Sequence, residues 1–355
     1  MGRDLVARVD ERDASVGPCL SPTTIRVGLD LDGSLESLGN SMTDLADALV
    51  RTGDVDLVRF RSRTSSSSPS ETHLSMRGLW SPLWRRSRGR SIDGLLAAVD
   101  VIHVAGLATP PTGSIPLIIS VDDLRPLRTE ARTHLRITQL KRAVERGAIL
   151  VASSRSASHE VIAVLGVQRN RVVVVPPAVP LVEATKGGED LVVNITGADD
   201  LFLAMAPELI RYCNDHDSRV VALASSEVGQ RIHSSDHAVV VRPRGEARDA
   251  LSNARVVMHL SDGARFPSFA IAEMSAGVPT IARATEINRE LLEGAAALAT
   301  NDQDLVGALD EAWTNESRRA IMSAAGRSRA VDFSPDNAAR AYLALYHEVV
   351  RGWSS

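Results

Sequence analysis

From residue 25 almost to the end of the chain, short apolar runs alternate with stretches whose apolar residues recur at helical spacing. Ile25–Leu31 (IRVGLDL) ends at Asp32-Gly33 and predicts a strand followed by a turn. In Ser41–Val50, Met42, Leu45, Ala46 and Leu49 fall at helical spacing. Val55–Arg59 predicts a second strand, and a helix over Ser91–Val99 leads into a strand at Val101–Val104. Leu117–Val121 reads as strand, Thr133–Arg146 as helix, Ala148–Ala152 as strand, Ser154–Leu165 as helix and Arg171–Val175 as strand. A second series follows. Strands are predicted at Leu191–Thr196, Val220–Ala224, Ala238–Val241, Val256–Leu260 and Pro279–Ala282. Helices are predicted at Leu201–Tyr212, Ala247–Asn253, Ser268–Ala276, Glu286–Glu293, Asp304–Trp313 and, longest of all, Pro335–Val350.

The strands are short and do not alternate apolar with polar positions. That is the mark of parallel strands covered by helices on both faces. The series is broken once, by Pro176-Pro177-Ala178-Val179-Pro180 and the polar, glycine-bearing Glu183–Asp190 (EATKGGED). The expected organisation is an α/β chain of two Rossmann-like lobes. Residues 1–23 form a loose tail, 24–180 the first lobe, 181–190 a linker and 191–332 the second lobe. Residues 333–355 form a terminal helix returning to the first lobe. Arg61–Leu74, with four consecutive serines, reads as a polar loop.

Composition changes this picture little. The chain has 355 residues, 44% apolar and 24% charged, and 355 residues suit two cores better than one. Aromatics are only 3%, so the cores must be aliphatic. No run approaches the roughly 20 apolar residues of a membrane span, and the N-terminus carries no apolar signal region. Two cysteines, Cys19 and Cys213, make neither a disulfide framework nor a zinc site. A cytoplasmic protein without metal or cofactor is the expectation.

Charge is distributed unevenly. Residues 1–180 carry a net charge of +4 and residues 181–355 a net of −8. The basic excess lies in 51–146, where 16 basic side chains face 9 acidic ones. Arg77–Arg90 (RGLWSPLWRRSRGR) holds five arginines with Trp80 and Trp84, and Arg128, Arg132 and Arg136 follow at four-residue spacing. Arg85, Arg86 and Arg88 suit an anionic membrane surface or an acidic partner, and a solvated loop is the alternative. Nucleic acid is not an expected partner.

No HExxH, GxSxG, GxxxxGK[ST] or GxGxxG occurs, so phosphate-loop hydrolases are disfavoured. Asp30-Leu31-Asp32-Gly33-Ser34-Leu35, closing an apolar strand, resembles the first motif of haloacid-dehalogenase-type phosphatases. That resemblance implies Asp30 as nucleophile and Asp32 as general acid–base, with Asp199-Asp200 as a later acidic motif. The alternative is that Asp30 and Asp32 cap a strand-to-helix loop.

A longer constellation points elsewhere. Residues 254–282 read ARVVMHLSDGARFPSFAIAEMSAGVPTIA, a strand, a loop, a helix holding Glu273, then Gly277-Val278-Pro279 and a strand. Asp100–Val104 (DVIHV), Pro116–Arg128 (PLIISVDDLRPLR), Ala148–Arg155 (AILVASSR), Arg171–Pro180 (RVVVVPPAVP) and Phe333-Ser334-Pro335 add to it in order. Over residues 25–350 the chain resembles the retaining nucleotide-sugar glycosyltransferases of family 4. The resemblance implies the GT-B fold, with two Rossmann-like lobes facing each other across a cleft. It implies a nucleotide-sugar donor on the second lobe and an acceptor on the first.

Carried over position by position, the resemblance makes Glu273 the ribose-binding carboxylate. It places Arg265, Ser268, Phe269, Gly197, Arg244 and Gly33 around the nucleotide-sugar, and Asp122 near the chemistry. The departures are pronounced. Arg265 stands where the sugar-orienting Glu belongs, and Phe266-Pro267-Ser268 replaces a glycine-rich turn. Gly197–Leu203 (GADDLFL) carries Asp199 and Asp200 where an Arg and Lys pair would face the leaving diphosphate. Asp122 stands where a His is usual, and the first loop has Asp32-Gly33 for Gly-Gly. Substitute cations would come from Arg244 or Arg283. Three functions remain open: a transferase with an atypical donor site, a silent pseudo-glycosyltransferase acting as partner or regulator, and the phosphatase.

Overall fold

A computed structural model describes residues 24–31, 41–61, 72–73, 91–94, 96, 98–106, 110, 112–121, 133–184, 187–224, 231, 239–242, 247–263 and 265–353. The chain divides into two compact units. One takes its described residues from 24–178 and 335–353, the other from 179–334.

In the first unit, β1 (Ile25–Asp30), α1 (Ser41–Thr52), β2 (Val55–Arg61) and β3 (Thr72–His73) precede β4 (Val101–Ala105) and β5 (Leu117–Val121). Next come α2 (Thr133–Glu145), β6 (Ile149–Ala152), α3 (Arg155–Leu165) and β7 (Val172–Val174). The seven strands form one sheet in the order β3-β2-β1-β4-β5-β6-β7, every neighbour parallel. All five residues of β4 and of β5 are buried, as apolar strands covered on both faces must be. Ser154 caps α3 by accepting from the Ala157 amide, and Gly166, with φ +61°, ends it.

The second unit runs β8 (Asp190–Thr196), α4 (Asp199–Asp215), β9 (Val220–Leu223), β10 (Val239–Arg242), α5 (Ala247–Leu251) and β11 (Ala254–Ser261). It continues with α6 (Ser268–Ser275), β12 (Thr280–Arg283), α7 (Glu286–Leu292), β13 (Ala297–Ala299), α8 (Asp302–Thr314) and α9 (Glu316–Val331). Its parallel sheet has the order β10-β9-β8-β11-β12-β13. The α/β class with two doubly wound parallel sheets is therefore as expected from the sequence.

The last helix, α10 (Pro335–Trp353), packs on α1 in the first unit. A buried polar chain secures it. His103 of β4 hydrogen-bonds through Nδ1 to the Tyr346 hydroxyl and through Nε2 to Ser120 of β5, each at 2.8 Å. Ser120 in turn meets the Tyr342 hydroxyl at 2.9 Å. Burial pushes the His103 imidazole down to about 3, so it stays neutral. His103, from the DVIHV segment, thus holds a helix in place.

Three local expectations fail. The helix over 91–99 is a single turn, Ile92–Gly94. Within that turn the Asp93 carboxylate accepts from the amides of Gly113, Ser114 and Ile115, tying it to the segment before β5. The polar loop over 61–74 contains β3, which extends the sheet by pairing with Phe60 and Arg61. Residues 316–331, which the apolar pattern leaves unassigned, form a 16-residue helix. Asn315 starts that helix by accepting from the Arg318 amide, and its Gly326 lets it approach Met274 of α6 closely. The tail over 1–23 lies outside the described residues. No helix among the described residues is long and apolar enough to cross a membrane.

Candidate functional site

In a doubly wound sheet, ligands settle outside the carboxyl ends of the strands, where the winding reverses. In the second sheet that point lies between β8 and β11. A cavity of about 690 Å³ opens there, walled by the residues that follow the ends of β8, β11, β12 and β13. Gly197–Leu201 come from the first, Ser261 and Asp262 from the second, Arg283–Thr285 from the third and Thr300 from the last. Gly197 turns the chain out of β8 with φ +69°, and a Cβ there would run into the Asp262 carboxylate, so the position needs glycine.

The cavity has mixed polarity. α4 points its N-terminus into the wall, and its N-cap, Ala198, offers no side chain to the first amides. Those amides and the helix dipole favour an anion. Asp199 and Asp200 in the same first turn supply negative charge of their own. Two arginines counter them. Arg231 pairs with Asp200 at 3.0 Å, and Arg283 approaches Asp302 at 3.9 Å. Both pairs are solvent-exposed and worth little, so either guanidinium can turn to an incoming phosphate at small cost.

The sequence-derived candidates do not gather in one place. Gly197 lines the cavity, and Arg283 lines it as well. Glu273 lies on α6, wholly buried behind the sheet. Its Oε1 accepts from Asn194 Nδ2 at 3.1 Å, and its Oε2 meets no partner. Burial pushes this carboxyl up to about 7, and the Asn194 hydrogen bond partly opposes the rise. Phe269 is core, packed in one apolar cluster with Val192, Leu223 and Leu251. Ser268 opens α6 and Arg265 sits on the short bridge before it, both half-buried and neither on the described wall of the cavity. Gly33, Asp122, Arg244, Asp32, Arg85, Arg86 and Arg88 lie outside the described residues. Asp30 closes a strand of the first unit, whereas Asp199 and Asp200 belong to the second. No group of three or more His, Cys, Asp or Glu among the described residues could hold a metal ion.

Sequence reasoning missed Arg231, Ser261, Asp262, Thr285 and Thr300. A usable signal existed for all but Arg231. On a parallel sheet the residue at or just past each strand's carboxyl end faces the ligand side, and those four hold such positions. Arg231 comes from outside any predicted element and carries no such mark.

Two doubly wound parallel sheets, with a polar cavity at the carboxyl ends of the second, are the architecture of GT-B glycosyltransferases. In sequence, residues 38–183 match the family model described as Glycosyltransferase Family 4. The chain is thus family 4-like in the sequence of its first unit and GT-B in fold. Solved structures of that fold include HepE from Anabaena in complex with UDP and glucose. It is 13% identical, with a TM-score of 0.65 over 91% of this chain and 99% of HepE. Sucrose-phosphate synthase from Thermosynechococcus elongatus is also 13% identical, with a TM-score of 0.65 over 92% of this chain and 99% of its own. TarM is 11% identical with a TM-score of 0.57, and the match spans 72% of this chain but only 56% of TarM. No curated protein matches the sequence of this chain.

Proposed function

We propose that the chain is a glycosyltransferase-like protein that takes a nucleoside diphosphate, or a nucleotide-sugar, at the carboxyl ends of the second sheet. One observation carries the reading: the 690 Å³ cavity at the reversal point combines the open N-terminus of α4 with Arg231 and Arg283. Amides and guanidinium groups converging on one space suit a diphosphate. The complex of HepE with UDP and glucose supports nucleotide-sugar chemistry on this fold.

The donor site is degenerate, and turnover is expected to be slow or absent. In a retaining transferase the negative charge on the departing diphosphate grows toward the transition state, and cations aimed at it lower the barrier. In this chain Asp199, Asp200 and Asp262 share the wall with two arginines, one of them already paired to Asp200. These carboxylates favour the second reading, a pseudo-glycosyltransferase that binds nucleotide and acts as partner or regulator. On either reading the acceptor side is the first unit, whose basic excess, Arg85, Arg86 and Arg88 included, suits an anionic acceptor or membrane surface.

Calorimetry with UDP, ADP and GDP at millimolar concentration tests the site. No binding of any of the three would sink the nucleotide reading. Rapid transfer or hydrolysis of a nucleotide-sugar by the purified chain would sink the pseudoenzyme reading.

A further inference from the structure

A polar seam runs from Glu273 toward the cavity, and none of its three side chains is on the described wall. Glu273 is fully buried, with one carboxyl oxygen held by Asn194 and the other without a partner. Asn194 is itself fully buried on β8, and its Oδ1 accepts from Thr196 Oγ1 at 3.4 Å. Side chains two apart on a strand share a face, so Asn194 and Thr196 stand in one row. Thr196 ends β8, and the next residue, Gly197, is on the cavity wall. The seam therefore runs from a sealed carboxyl, through one amide and one hydroxyl, to the rim.

We propose that Asn194 is a positioning residue for Glu273, and that Asn194 and Thr196 couple this carboxyl to an anion in the cavity. The coupling rests on the nucleotide-site reading. The physical route is simple. The Asn194 amide donates to Glu273 and favours the ionised carboxyl, while burial favours the neutral one. Thr196 has one hydroxyl proton, and it donates that proton to Asn194. If the proton is donated to a phosphate oxygen instead, Asn194 loses its anchor. The phosphate charge at the end of β8 also opposes a second negative charge behind it.

Among the described residues three other ionisable groups lie by this seam, the first being Asp262, whose amide donates to the Thr196 carbonyl and whose carboxylate lies against Gly197. His259 of β11 pairs in register with Asn194, and Arg327 of α9 lies against Gly277 just past α6. None of the three contributes to the raised value at Glu273, which comes from burial and is partly opposed by Asn194.

Carbon-13 NMR of the glutamate carboxyls, assigned with Glu273→Gln, reads the titration directly. Without ligand, Asn194→Leu should raise the Glu273 midpoint by about one pH unit. Asn194→Ser also withdraws the amide donor and serves if the Leu variant fails to fold. Identical midpoints in the wild type and these variants overturn the positioning role. Saturating UDP should raise the wild-type midpoint, and Thr196→Val should shrink that response to the part due to the phosphate charge alone; an undiminished response would remove Thr196 from the route. UDP binding that leaves the midpoint unmoved overturns the coupling. If UDP does not bind, the nucleotide reading and the coupling fail together. The arm without ligand still decides the role of Asn194.

Discussion

Replacing Glu273 by Gln should remove a loss of stability that the wild type suffers as pH rises to neutrality. Wild-type Glu273 has its carboxyl raised from an ordinary 4.5 to about 7 by complete burial. Below pH 4.5 the carboxyl is protonated in both the folded and unfolded chain, and the full stability is present. Between 4.5 and about 7 the unfolded chain ionises while the folded one stays neutral, so stability is lost as pH rises. Above 7 the loss levels off. Every pH unit across that interval corresponds to about 1.4 kcal/mol, so the loss reaches about 3 kcal/mol. Gln keeps the shape and still accepts from Asn194, but does not titrate. Its second N–H adds a cost that is the same at every pH. The informative quantity is therefore the difference between the two proteins, followed by urea unfolding from pH 4.5 to 8.5. Gln should gain on the wild type steadily from pH 4.5 to 7 and then hold its advantage. Parallel curves across that range would refute the reasoning, because they would mean that Glu273 is ionised and satisfied in the folded state.

Three further outcomes are expected. Asp199→Asn combined with Asp200→Asn should tighten UDP binding several-fold in calorimetry, with the gain shrinking in high salt, because two carboxylates leave the wall proposed to meet phosphate; unchanged affinity would remove the diphosphate from that wall. Gly277→Ala should lower the melting temperature by several degrees, since Gly277 has φ +79°, a conformation that strains any residue with a Cβ, while the Arg327 guanidinium beside it can swing aside; an unchanged melting temperature would mean that the turn after α6 relaxes freely. The chain should co-sediment with anionic vesicles at low salt and lose most of that retention when Arg85, Arg86 and Arg88 are replaced by Ser, each arginine contributing about 1 kcal/mol; equal retention by the triple variant would exclude this segment as the contact.

Most of the fold was legible along the chain, for a local reason. A strand buried on both faces must be mostly apolar, so β6 and β9 show in the sequence as unbroken runs, and β4 and β5 are interrupted only by His103 and Ser120, which hydrogen-bond to each other. Helix starts were marked as well, because Ser154, Thr285 and Asn301 each cap a following helix with a side-chain oxygen. Tertiary structure decided whatever depended on distant partners. The Asp93 carboxylate binds the amides of a segment twenty residues away, and α9 packs with Gly326 close to Met274 while burying only Met322, Gly326 and Ala330 of its own residues. The site shows the same division. Glu273 and Gly197 could be singled out by motif, but no spacing shows that one carboxyl is sealed behind the sheet while the other position lines a cavity. Gly197 and Thr300 reach that cavity from opposite ends of the sheet's sequence, brought together because parallel strands deliver all their carboxyl ends to one edge. Periodicity records which face of an element is buried; which side chains then converge is set by strand order, and strand order is a property of the assembled sheet.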